Sequence, residues 1–156
     1  MDHYIYSPLV SEPGRDDAMR ILKVLPGCGD EPLKCAMENT YLSDCINFEV
    51  LFVDSGHSGI EDERGDSRIA CDHRFLPATT PLRAALSHLR KPAESRNLWV
   101  QALCVNQCVD DERGRQIRLM RDIFPKAERL LIWLGDGVQV EHEGDSKRKG
   151  LSAASI

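Results

Sequence analysis

The chain predicts an α/β fold, an open and mostly parallel sheet flanked by helices, and three observations carry that expectation. Apolar runs of strand length recur at Met19–Leu25, Ile46–Val53, Leu98–Val105 and Arg129–Leu134. The stretches before Lys91-Pro92 and before Pro125 show the three-to-four-residue period of amphipathic helices. The Leu98–Val105 run is apolar on both faces apart from Gln101, as in a strand covered from both sides. Strands alternating with helices in this way favour parallel pairing.

The elements follow in order. Tyr4-Ile5-Tyr6-Ser7-Pro8-Leu9 reads as an extended lead-in along a sheet edge. Met19–Leu25 is a strand stopped by Pro26-Gly27. The segment from Gly27 to Asp44 has no clean period, and whether it holds a helix stays open. Ile46–Val53, rich in β-branched and aromatic residues, is a central strand that runs into the polar loop 54–67. Thr79-Thr80-Pro81 starts a helix with a threonine cap and a proline in the first turn. Leu82, Ala85, Leu86 and Leu89 give that helix one apolar stripe. After the Leu98–Val105 strand, Asp110 or Asp111 caps a second helix with Arg113, Ile117, Met120 and Phe124 on one side, and Pro125 stops it. Arg129–Leu134 is the last buried strand. Residues 137–156, poor in apolar side chains, are expected to be a disordered tail.

With 156 residues, 42% hydrophobic and 29% charged, the chain suits one globular domain. Its net charge of −5 argues against nucleic acid as a partner. No apolar stretch reaches the ~18 residues that span a bilayer, so no membrane partner is expected. The opening Met1-Asp2-His3-Tyr4 lacks the marks of a secretory signal, which leads to the expectation of a cytoplasmic location. There the six cysteines, 28, 35, 45, 71, 104 and 108, would be free thiols. Their spacings form no CxxC pair, so neither a metal nor a cofactor is expected. Cys104, Trp99 and Trp133, all on buried strands, read as core.

Ligands of open α/β sheets bind beyond the carboxyl ends of the strands, where the loops 54–60 and 106–111 should converge. Asn106 and Gln107 could hydrogen-bond a polar ligand there, or tie down their own loop. His57 and His73 have no partner at a motif spacing. Ser55-Gly56-His57-Ser58-Gly59 lacks the order of a nucleophile elbow and the lysine of a phosphate loop.

The letters between residues 98 and 135 add a family resemblance. Leu98-Trp99-Val100-Gln101-Ala102-Leu103-Cys104-Val105-Asn106-Gln107, Asp110-Asp111-Glu112-Arg113, Gln116, Met120 and the strand ending Trp133-Leu134-Gly135 resemble the fungal heterokaryon-incompatibility (HET) domain, whose pattern runs LWIDAICINQ, DxxER, Q, M, WLG. The Tyr4–Leu9 lead-in and the Arg20-Ile21-Leu22 strand also match stretches that precede such domains. The resemblance implies a HET-like domain over 1–136, with a motif core at 46–135 and a TIR-like, three-layer sheet. It implies a role in self/non-self recognition and programmed cell death, with a protein partner or self-association.

Some TIR domains cleave NAD with a glutamate early in the helix after a central strand, and Glu112 stands in the comparable place. The resemblance therefore makes Glu112 the catalytic candidate, NAD a possible substrate, and Gly56, Asn106, Gln107 and Arg113 the ligand-binding candidates. A second reading has Glu112 favouring the helix N-terminus and pairing with a basic neighbour. This sequence departs from the family's YxALSYxWG at Phe52, Val53 and Ser55, and from the acid of LWIDA at Gln101. The expectation is a non-catalytic or weakly active module, with an NAD glycohydrolase and a truncated, inactive relative as the alternatives.

Overall fold

Side chains alternate across a pleated strand, so burial along consecutive residues means that both faces are covered. Strand β1 (Ala18–Val24) is buried at every position but Lys23. The computed structural model describes residues 2–10, 12–15, 17–44, 47–53, 68–135 and the backbone of 138–143. After β1 come β2 (Lys34–Tyr41), β3 (Glu49–Val53), β4 (Arg68–Cys71), β5 (Arg74–Pro77), α1 (Thr80–Leu89), β6 (Arg96–Trp99), α2 (Gln101–Cys104), α3 (Asp110–Lys126), β7 (Arg129–Trp133) and β8 (Val138–Glu143). The strands form one sheet in the order β5-β4-β2-β1-β6-β3-β7-β8.

The α/β class stands, but the expectation of a mostly parallel sheet is corrected to a mixed one. β3 runs parallel to β6 and β7, and β2 runs parallel to β4. The pairs β1–β2, β1–β6, β4–β5 and β7–β8 are antiparallel. Connection length is the reason: a parallel neighbour needs a crossover of a dozen or more residues. The Leu25–Leu33 connection is too short for one, and Asp72-His73 makes a two-residue turn with φ of 49° and 63°. β2, β4 and β5 carry no clean alternation in sequence, and the unassigned segment after Gly27 contains β2 rather than a helix.

α1 forms as the sequence predicts. The Thr79 hydroxyl accepts from the Leu82 N–H at 3.3 Å, and Leu82, Ala85, Leu86 and Leu89 are buried. The strand expected over Leu98–Val105 is corrected: β6 ends at Trp99, and the chain turns into α2. The N–H groups of Leu103 and Cys104 both donate to the Val100 carbonyl, at 3.0 and 2.7 Å. A short run apolar all round suits a buried helical turn as well as a strand.

α3 is also rotated from its expected setting. Neither Asp110 nor Asp111 caps it; both lie inside its first turn, after Val109. Pro125 lies within the helix, which ends one residue later. Its buried residues are Glu112, Gln116 and Ile123, while Arg113 is exposed and Ile117 is 52% exposed. Two polar side chains hold the core face, and their partners explain why.

The helices lie on opposite sides of the parallel strands. His88 of α1 packs on Trp133 with ring centroids 5.2 Å apart. Phe124 of α3 packs on Phe52 at 5.4 Å and on Trp99 at 6.4 Å. The register pairs Phe52 with Ile132 and Val53 with Trp133, so Phe52 and Trp133 point to opposite faces. The lead-in meets the sheet edge at its start, where the Tyr4 N–H donates to the Phe75 carbonyl of β5 at 2.7 Å, but it does not follow that edge: by Ser7 it has crossed to Arg20 of the inner strand β1. At the other edge, part of the region read as a tail from 137 forms β8 against β7, while 144–156 lies outside the described residues. No helix among the described residues is long and apolar enough to cross a membrane.

Ile123→Ala is expected to lower the unfolding free energy by about 2–4 kcal/mol in urea denaturation. Ile117→Ala should stay within about 0.5 kcal/mol of the parent, because its side chain already meets solvent. The reverse order would mean that α3 is turned the other way.

Candidate functional site

A guanidinium on a buried strand must find compensation for every donor it takes out of water. Arg20, on β1, has 0% of its surface exposed. Both of its terminal nitrogens donate to the two carboxylate oxygens of Glu112, with Nη2 to Oε2 at 3.1 Å. Nη1 also donates to the Cys104 carbonyl at 3.1 Å, and Nη2 to the Ser7 carbonyl at 2.8 Å. The Tyr6 ring lies 4.8 Å from the guanidinium carbon, a cation–π contact, and its hydroxyl donates to the Leu103 carbonyl at 2.7 Å. Glu112 Oε1 further accepts the Asn106 N–H at 2.9 Å. One turn along α3, Gln116 Nε2 donates to the Ala18 carbonyl at 2.7 Å. Arg20 Nε and Gln116 Oε1 have no partner among the described residues.

Burial alone would raise the Glu112 pKa, but the Arg20 and Asn106 hydrogen bonds and the Arg20 charge outweigh it and hold the carboxyl below its ordinary value. Tyr6 is pushed up to about 12, chiefly by burial. Burial likewise raises the Cys35 and Cys104 thiols to about 12 and raises Cys71. These buried thiols therefore stay protonated and act as small core side chains. Cys28 and Cys108 are exposed and free. Among the described residues no group of three His, Cys, Asp or Glu is placed to hold a metal.

The open space lies apart from this ion pair. A cleft of about 410 Å³ sits beyond the carboxyl ends of β3 and β6, beside the start of α1. Leu51, Phe52, Val53, Leu82, Val100 and Ala102 wall it, and Thr79, Gln101 and Gln107 supply its polar groups. None of these described lining residues is charged. A second hollow of about 500 Å³ lies between residues 27–33 and the end of α1. Its Arg90 is committed to the carbonyls of Gly29, Glu31 and Pro32, so that guanidinium ties the loop to the helix.

The structure disperses the residues singled out from the sequence. Glu112 faces the interior against Arg20, and Asn106 reaches it through its backbone N–H. The Asn106 side chain accepts the Cys108 N–H at 3.2 Å, and Gln107 Nε2 donates to the Gln101 carbonyl at 3.1 Å, so both amides brace their loop. Gln107 and Gln101 also line the cleft. Arg113 is exposed and paired with Asp110 at 2.8 Å. His73 belongs to the β4–β5 turn. Gly56 and His57 lie outside the described residues. Arg20, Tyr6 and Gln116 stand in the sequence as letters of the family pattern and its lead-in, with nothing in that pattern to give them a place in this site. An arginine inside Ala18-Met19-Arg20-Ile21-Leu22 is itself a signal, because such a charge requires a partner.

Comparison with known proteins gives two matches. The family model described as Heterokaryon incompatibility protein (HET) matches residues 52–155. Heterokaryon incompatibility protein 6, OR allele, of Neurospora crassa is 31% identical over 129 residues, covering 77% of this chain. The chain spans only 19% of that relative's length. No solved structure matches significantly.

At neutral pH, Glu112→Gln is expected to lower the unfolding free energy by about 3–5 kcal/mol, since it leaves the Arg20 charge buried without a counter-ion. The folded carboxyl has a lowered pKa, so its contribution is present above the ordinary value of 4.5 and is lost as pH falls through the folded value. The gap between parent and variant should therefore close on acidification, measured by urea unfolding across pH. A gap independent of pH would remove the ion pair from the account.

Proposed function

Because the chain belongs to the heterokaryon incompatibility (HET) family, we propose that it is an interaction module of fungal self/non-self recognition, working in the cytoplasm through association with a protein partner or itself rather than through catalysis. In that role its activation leads toward programmed cell death. The carrying observation is the engagement of Glu112. A carboxylate that stabilises an oxocarbenium-like transition state must face the sugar across open space. Both Glu112 oxygens are instead taken by Arg20, one of them also by the Asn106 N–H, beneath a protein surface that leaves the residue 5% exposed.

The cleft supports the same reading. Its described lining offers amides, one threonine and apolar walls, with no cation for a pyrophosphate and no carboxylate for a ribose. At the positions where the family carries a serine and an acid, Phe52 packs on Phe124 and Gln101 begins α2. These side chains serve packing and loop geometry. The TIR-like arrangement is proposed on the parallel β6-β3-β7 core with α1 and α3 on its two faces.

Purified chain at high concentration is expected to leave NAD intact, with nicotinamide release at the buffer level. Induced expression in a filamentous fungus should slow growth without depleting cellular NAD. Nicotinamide release, or growth loss with NAD depletion, that a folded Glu112→Gln variant abolishes would replace this reading with a glycohydrolase.

A further inference from the structure

Resting on the interaction-module reading, we propose that the outward face of α3 is the docking surface for an acidic, amphipathic helical segment of a partner protein. The inner face of α3 holds the fold through Glu112, Gln116 and Ile123. The outer face carries Arg113, Ile117 and Arg121 in one row at four-residue spacing, and Asp110, Gly114, Arg118 and Asp122 in the row beside it, so three arginines outnumber two exposed aspartates there. Arg118 and Arg121 are exposed, and neither is in an ion pair with any described residue. Among the described residues Arg113 has the exposed pair with Asp110 three residues earlier, an interaction weak enough to exchange.

Two further observations specify the partner. Ile117, 52% exposed, stands between the arginines, so the face asks for apolar contact at its centre and carboxylates around it. At Gly114 an added Cβ would meet, among the described residues, the Arg118 Nη1 at 3.7 Å, so the surface there is low and bounded by a movable guanidinium. Arginine with an apolar neighbour is the composition favoured at protein interfaces. The chain as a whole carries a net charge of −5, so these cations are a local feature that attracts a short acidic segment while the remainder opposes a long polyanion. A phosphate backbone offers nothing apolar to Ile117, and one isoleucine is little for a bilayer.

The test uses the full chain and a synthetic helical peptide with glutamates at four-residue spacing around leucines, with binding read by fluorescence anisotropy. Low-salt binding is expected, weakening with salt. Arg118→Glu combined with Arg121→Glu should weaken it at least about tenfold and create affinity for the lysine version of the peptide. Ile117→Asp should weaken it with the charges intact. Circular dichroism checks folding, and Arg118→Gln with Arg121→Gln replaces the reversed pair if that pair does not fold. Affinity unchanged by these substitutions, absence of binding, or tighter binding to phosphatidylserine vesicles or duplex DNA overturns the proposal. Nicotinamide release measured on the same preparation keeps the two ideas apart: a chain that releases it yet binds the peptide loses only the non-catalytic reading. One that does neither loses only this surface.

Discussion

Arg20 and Glu112 form a buried ion pair, and the lead-in, α2 and α3 are all positioned by it. Three separate segments meet at one guanidinium, the lead-in through Ser7, α2 through Cys104 and α3 through Glu112, and the 106–109 loop joins them through the Asn106 N–H on the Glu112 carboxylate. Desolvating the two charges is expensive, and the cost is offset only when each is matched in direction as well as sign. That requirement sets the rotation of α3, which must turn Glu112 and Gln116 toward β1 and thereby leaves Ile117 in solvent. A second shielded pair, Arg96–Glu49 at 2.8 Å, joins β6 to β3 across the parallel part of the sheet.

The same geometry separates two tasks that sequence proximity suggests are one. Glu112 and Gln107 stand five positions apart, yet one faces the interior and the other the cleft. The one-turn helix α2 brings this about, because it ends β6 early and swings the following loop over the sheet end. Phe52 fits this reading of the cleft as a packed wall, since its ring is seated edge-on against Phe124. The altered motif positions are thus absorbed by apolar packing and by hydrogen bonding within the loop.

Elements with strong local signals were legible in the sequence. α1 follows from Thr79, Pro81 and a clean apolar stripe, and β1, β3 and β7 from compact apolar runs. β2, β4 and β5 were not legible, because their residues alternate weakly and take their place through backbone pairing with neighbours. Of the candidate site, Asn106, Gln107 and Glu112 were found as residues, but their directions were not. Helical period alone assigned the core face of α3 to its apolar side chains, and it had no means of counting Arg20 as a partner for the polar ones.

Local composition and spacing suffice for the family, the α/β class, the position of the parallel core and the importance of residues 98–135. That the sheet is mixed, that Glu112 points inward and that arginines stand on the outer face of α3 follow from the folded arrangement alone. Those outcomes depend on which distant groups meet. Arg20 and Glu112 lie 92 residues apart in the chain, and the energy of a buried charge is set by what stands beside it in space.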